Sequence, residues 1–318
     1  MNTKQKVLKE LESHKDTPLS GAALAESIGV SRTAIWKAIN GLKEDGHKIT
    51  ATTNKGYTLA ATSDILSTES VLPHLRHRVP VVVRTTVDST NKVAAAMALE
   101  EAIHGTTVIA SEQTAGRGRR GRSFYSPKDT GLYMSIIIEP TFDVSKAVLV
   151  TAAIAVAVSK AIDEITGLSS SIKWVNDVYI EDKKVCGILT EAISDFETGQ
   201  IHRIVVGVGI NCRTEDFPPD AGANPGSLGG NVPRGKLAAK IIDNFLDIVD
   251  SIENRQFITE YRNRSMLLGK EINIFPSMDA PPEAATALDI NQDGELIVEM
   301  IHGEKRTLST GEVSIRLR

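Results

Sequence analysis

The chain has 318 residues, 41% hydrophobic and 24% charged, an ordinary globular composition with length for two or three domains. It has no apolar run near the roughly 20 residues of a membrane helix and no signal-peptide core, which predicts a cytoplasmic protein without a membrane partner. Two cysteines, Cys186 and Cys212, and seven scattered histidines exclude a disulfide framework and offer no metal-ligand spacing. The net charge of −4 is uneven: residues 1–60 hold nine basic and six acidic residues, the remainder 27 and 34, so only the first segment suits a polyanion.

Val7, Leu8 and Leu11 predict a first amphipathic helix, and Pro18-Leu19 a turn. Ser20 then caps a short helix over 21–28, closed by Gly29. Ser31 caps a third helix over 32–45, ended by Gly46, so the segment reads as a helix-turn-helix. On the third helix Ile35, Ala38, Ile39 and Leu42 share one face by the 3.6-residue period. Thr33, Trp36, Lys37 and Asn40 point away from it. Residues 49–53 and 57–59 flank Asn54-Lys55-Gly56, a hairpin with lysine at its tip, which completes a winged helix. Phosphate contacts are expected from Lys37, Lys48 and Lys55, and base contacts from Thr33, Trp36 and Asn40, with Ser31 and Arg32 at the start of the reading helix. A helical protein-interaction domain with a short ribbon is the competing reading.

The texture changes near residue 64. Residues 79–87 read as a strand ending in Asp88-Ser89-Thr90-Asn91, at the mouth of an alanine-rich helix over 92–102. Four polar residues exceed what a helix cap needs, which suggests a ligand, although Asp88 or Ser89 alone would satisfy the cap. Strands are expected over 107–110 and 132–139. Between them runs Gly116-Arg-Gly-Arg-Arg-Gly-Arg122, four guanidinium groups with no acid in the segment and three glycines free to adopt positive φ. It matches Gly-x-Gly-x-x-Gly, but Ser111–Ala115 precede it and Pro127 follows, so it does not open the helix of a dinucleotide-binding turn. It suits a polyphosphate or acyl-phosphate, a nucleic-acid patch, or plain solvent.

Residues 144–165 predict a long buried helix, 171–175 a strand, 178–180 and 185–191 a hairpin around 181–184, and 201–210 an apolar strand broken by Gly207 and Gly209. Hairpins dominate, which predicts an α+β fold with a largely antiparallel sheet. Short strands at 271–275, 287–290, 295–299, 305–309 and 313–317 suggest a small SH3-like barrel, packed on the core or standing as an interaction module.

Asp88-Ser-Thr-Asn91, Gln113-Thr-Ala-Gly-Arg-Gly-Arg-Arg-Gly-Arg122, Lys173-Trp-Val-Asn-Asp177, Lys183-Lys-Val-Cys-Gly-Ile-Leu189 and Gly207-Val-Gly-Ile-Asn211, in this order and spacing, resemble the biotin-protein ligases. With a winged helix in front, the chain resembles the bifunctional ligase and biotin operon repressor form. The resemblance implies a winged-helix domain over 1–63, a catalytic domain over 64–268 like those of class II aminoacyl-tRNA synthetases and biotin ligases, and an SH3-like domain over 269–318.

It further implies that ATP converts biotin to biotinyl-5'-AMP, and that the acyl group passes to a lysine of a biotin-carrier domain such as that of acetyl-CoA carboxylase. By similarity, Ser89, Thr90, Asn91 and Gln113 line the biotin pocket, Arg117, Gly118 and Arg119 cover biotin and its adenylate, and Lys184 reaches the carboxylate and the α-phosphate. Asn176 and Asp177 face the nucleotide and the incoming amine, and Asp177 is the candidate general base, or else a carboxylate that binds a turn. Mg²⁺ is expected with ATP. Val175 stands where the family usually has proline, and Phe124 where many relatives have tryptophan, leaving a smaller face against biotin or adenine.

A tightly held adenylate beside a DNA reader predicts linkage, in which ligand binding favours a homodimer that grips a palindromic operator. A biotin-responsive transcription factor without chemistry, and a lipoate-type protein ligase, are the alternatives.

Overall fold

The computed structural model describes residues 1–140, 142, 147–194, 201–219, 221–222, 224–275, 281–309 and 314–317. The first unit is α1 (Thr3–Ser13), α2 (Gly21–Ile28), α3 (Arg32–Glu44) and the hairpin of β1 (Ile49–Thr52) and β2 (Gly56–Leu59). Each helix start is capped by its own side chain: Asn2 accepts from the Gln5 amide, Ser20 from Ala23 and Ser31 from Ala34. Gly29 closes α2 at φ 75°, where a residue with a Cβ is disfavoured. Ile35, Ala38, Ile39 and Leu42 join Val7, Leu8, Leu11 and Leu24 in a small separate core.

After α4 (Thr68–Val71) the chain runs through β3 (Val81–Val87), α5 (Thr90–Leu99), β4 (Thr107–Gln113), β5 (Gly131–Ile138), α6 (Ala147–Thr166), β6 (Ser170–Lys173), β7 (Asp177–Ile180), β8 (Lys183–Ser194), β9 (Ile201–Asn211), α7 (Arg234–Val249) and α8 (Phe257–Asn263). Seven strands form one sheet in the order β3-β4-β5-β9-β8-β7-β6. All its pairings are antiparallel except β3 with β4. Helix α5 covers one face, where Ala94 and Ala98 meet Val108, Ile137 and Val205. Helices α6, α7 and α8 cover the other. Because both faces are covered, Gly131–Ile138 of β5 is buried at every position, which is why it reads as a continuous apolar run.

The tail, β10 (Glu271–Phe275), β11 (Glu283–Ile290), β12 (Leu296–Met300), β13 (Lys305–Leu308) and β14 (Ser314–Leu317), forms a five-stranded antiparallel sheet in the order β13-β12-β11-β10-β14. It packs on the core: the Trp174 indole donates to the Gly294 carbonyl at 2.9 Å, and Arg262 donates to the Ile290 carbonyl. The segment that follows the first unit is also anchored. Arg234, 1% exposed at the start of α7, donates its backbone N–H and its Nε to the Asp64 carboxylate at 2.9 and 2.6 Å.

Several expected boundaries move. Helix α5 starts at Thr90 rather than 92, because its first N–H finds an acceptor on a neighbouring strand, and it stops at Leu99, before Glu101 at φ 62°. The hairpin turn shortens to Glu181-Asp182, so Lys184 lies on β8 itself. The expected positions 144–146 and 313 lie outside the described residues.

Candidate active site

Period-two alternation decides what faces the cavity. On β9, Ile204, Val206, Val208 and Ile210 enter the core under α6, which turns Gly207, Gly209 and Asn211 to the opposite side. On β8, Cys186 and Ile188 enter the same core and leave Gly187, Leu189 and Glu191 facing outward; on β5, Met134 and Ile136 do so and leave Tyr133 and Ser135. The glycines clear space. A Cβ on Gly209 would stand 2.5 Å from Phe124 Cε1, and one on Gly207 would stand 2.1 Å from Asn91 Oδ1. The result is a cavity of about 610 Å³ lined by Ser89, Thr90, Asn91, Gln113, the arginine loop, Phe124, Lys173 to Asp177 except Val175, and Lys184.

One wall is a polar network. Gln113 Oε1 accepts from the Thr90 amide at 2.8 Å and from its hydroxyl at 3.1 Å, while Gln113 Nε2 donates to Ser126 Oγ at 2.9 Å. Ser135 Oγ lies 2.8 Å from Thr90 Oγ1 and 2.6 Å from Asn91 Oδ1. Ser89 occupies the cap position of α5 but makes no side-chain cap bond, and Gln113 takes over that task from β4. The cap of α5 is therefore supplied from another strand, and the side chains of Ser89 and Asn91 are not spent on it. Asn211 is 5% exposed, donates Nδ2 to the Gly226 carbonyl, and leaves Oδ1 without a protein partner.

The other wall is cationic. The arginine loop is a small hairpin: Arg117 bridges Ser123, Gly118 N–H donates to the Arg122 carbonyl at 2.7 Å, and Phe124 N–H donates to the Gly116 carbonyl at 2.9 Å. Its glycines divide their tasks differently from the expectation. Gly121 adopts positive φ, but so does Arg120, at 57°, while Gly116 is needed because a Cβ there would lie 2.3 Å from the Phe124 carbonyl oxygen. Nor is the loop unneutralised, since Glu191 on β8 meets Arg117 at 2.7 Å. Arg119 Nη1 donates to Asn176 Oδ1 at 3.2 Å, and burial, reinforced by Arg120, lowers its pKa from the ordinary arginine value. Lys184 Nζ stands 2.7 Å from Asp177 Oδ1. Six basic side chains and one carboxylate thus line the cavity among the described residues, a surface made for an anion.

Ser135 and Glu191 were not singled out in the sequence, and Asn211 appears there only as the end of a family motif. A serine inside Leu-Tyr-Met-Ser-Ile-Ile-Ile (132–138) was a visible signal, because a polar residue in a buried run needs a partner. Glu191 carried no such mark. Cys186 and Cys212 are fully buried, and burial raises both thiols, Cys212 to about 12, so both serve as small apolar side chains.

On the first unit, Ser31, Arg32, Thr33, Trp36 and Lys37 are exposed, Trp36 at 56%, and Asn40 is half-buried. Lys55 sits exposed in the β1–β2 turn beside Asn54 at φ 62°. One outward face therefore carries these helix residues, with the wing lysine at a hairpin tip.

Residues 82–211 match the Biotin/lipoate A/B protein ligase family, and residues 3–58 match an HTH domain. The chain is 32% identical over 302 residues to the bifunctional ligase/repressor BirA of Bacillus subtilis, covering 92% of each chain. It is 30% identical over 303 residues to BirA of Escherichia coli, covering 93% of this chain and 92% of that one. A biotin protein ligase of Aquifex aeolicus solved with biotin superposes with a TM-score of 0.63 at 25% identity, covering 75% of this chain and 99% of that one. The ordered motifs, the cavity they enclose and these two matches over more than nine-tenths of the chain agree: the chain belongs to the family of bifunctional BirA ligase/repressors.

Proposed function

We propose that the chain, working in the cytoplasm where ATP and operator DNA are found, joins biotin to ATP as biotinyl-5'-AMP, transfers the acyl group to a carrier-domain lysine, and represses biotin genes with the adenylate as corepressor. The observation that carries this reading is one cavity with a polar wall and a cationic wall. The Ser89, Thr90, Asn91 and Gln113 wall presents donors and acceptors suited to a ureido ring, with Phe124 packing beside it against Gly187 and Gly209. The loop with Arg117, Gly118 and Arg119 lies over the space where the acyl chain and phosphate meet.

A carboxylate does not acylate an amine unaided. Its oxygen attacks the α-phosphorus of ATP, the bond to the β-phosphate oxygen breaks, and pyrophosphate leaves. Negative charge gathers on the phosphate oxygens, where Arg119 and Lys184 supply preorganised cations. Lys184 then exchanges partners: drawn to the phosphate, it releases the Asp177 carboxylate, which is free to take the proton of the acceptor ammonium. The neutral amine attacks the acyl carbon and AMP departs. Mg²⁺ is expected with ATP, where it would offset charge on the nucleotide phosphates.

We take residues 1–63 as the DNA-binding unit, 64–268 as the ligase and 269–318 as a barrel bracing it through Trp174. A homodimer formed on ligand binding would place two wings on one operator. The test is to mix the chain with ATP, a biotin-carrier domain and either biotin or lipoate. Biotin on the acceptor lysine is expected; lipoylation alone, or neither product, refutes the reading. Equal operator affinity with and without biotin and ATP, at protein concentrations that limit dimerisation, refutes the repressor half.

A further inference from the structure

We propose that Glu191 is a positioning residue that latches the arginine loop to the ring-binding wall, a reading that rests on the proposed ligase function. Glu191 does not line the cavity; it lies just beyond Gly187 and Leu189 on the same side of β8 and pairs with Val205 of β9. Its carboxylate holds two partners at once. Oε2 accepts from Asn91 Nδ2 at 2.8 Å, and Oε1 accepts from Arg117 Nη2 at 2.7 Å.

Each bond fixes something different. With Nδ2 held by Glu191 and Oδ1 held by Ser135 at 2.6 Å, the Asn91 amide has one orientation that satisfies every donor and acceptor around it. Arg117 is the first guanidinium of the loop and the residue at which its hairpin closes on Ser123, so holding Arg117 holds the base of the loop against β8. Two residues on, Arg119 reaches Asn176. One carboxylate thereby joins a wall that reads the ring to a loop that covers the phosphate, without touching either ligand group. A ligand that orders Asn91 favours the geometry in which Glu191 receives Arg117, and by linkage a closed loop raises affinity for the ring. Both carboxylate bonds are charge-assisted or directed at a fixed amide, yet the ion pair is partly exposed and its worth is modest.

The full chain tests this with Glu191→Gln, which keeps an acceptor for Asn91 and removes the charge that holds Arg117, together with Arg117→Met and the double variant. Trypsin cleavage in the loop of the ligand-free protein and the KM and kcat for biotin-dependent pyrophosphate release are the readouts. Glu191→Gln should quicken loop cleavage and raise KM for biotin by roughly three- to fivefold, with kcat nearly unchanged, as expected for loss of a partly exposed ion pair. The double variant should be no worse than Arg117→Met alone. Faster cleavage with unchanged KM, effects that multiply in the double variant, or a lowered melting temperature with both readouts at wild type each overturn the latch. A wild-type chain that releases no pyrophosphate with biotin and ATP sinks the ligase reading instead, and the cleavage comparison still decides whether Glu191 holds the loop.

Discussion

The helix-turn-helix and the ligase cavity are built by different means. Every feature of the outward face of α3 is local: a serine caps α3 three residues before its partner amide, and helical periodicity alone sorts Ile35, Ala38, Ile39 and Leu42 from Thr33, Trp36 and Lys37. The cavity draws on segments from Ser89 to Pro225, brought together by a sheet whose order departs from chain order. Damage to the first should remain confined to binding, whereas damage to the second should spread across a network.

The largest effect is expected where the chain enters the ligase unit, just past the first unit. Asp64→Ala leaves Arg234 buried without its carboxylate and should cost about 3–5 kcal/mol, read as a lowered melting temperature of the full chain. Lys184→Ala should slow adenylate formation roughly 10²- to 10³-fold in a pyrophosphate-release assay and leave DNA binding of the ligand-free chain intact, since a single preorganised charge donor is lost. Gly209→Ala drives a methyl group into Phe124 and should cost about 1–3 kcal/mol of packing, seen as weaker biotin binding by calorimetry.

Lys55→Ala tests the other side of the comparison. It should lower operator affinity evenly across sequences and reduce the salt-dependence slope by about one, with ligase turnover unaffected. The smallest effect concerns pH. Burial holds the His47 imidazole below its ordinary pKa, so the folded state binds fewer protons than the unfolded chain as pH falls through the usual histidine range. Stability present at neutral pH should therefore decline as the solution is acidified through and below the usual histidine range, and His47→Asn should lose that part of the decline in thermal melts.

Legibility followed the same division. The caps at Ser20 and Ser31, the αL glycine at Gly29 and the lysine-tipped hairpin were readable because each is settled within a few residues. In the cavity, some residues were readable as types, Arg117 and Arg119 as cations and Ser89, Thr90 and Asn91 as polar excess, whereas Gln113 and Lys184 stood out only through the family motifs. Their partners were not. That Arg117 meets Glu191, 74 residues on, and that Gln113 caps α5 from a parallel neighbouring strand depend on strand order and register.

The sequence by itself determined the winged-helix elements, most strands of the main sheet and the inventory of charges, because helical and strand periodicities are properties of adjacent residues, but it did not mark α7 and α8, which cover one face of that sheet. Only the tertiary structure decided which charges are neutralised, which glycine is a turn and which a clearance, and which polar atoms answer one another. Those are questions of distance between segments remote in the chain, and in a close-packed sheet a single Cβ at Gly207 or Gly209 is enough to change the answer.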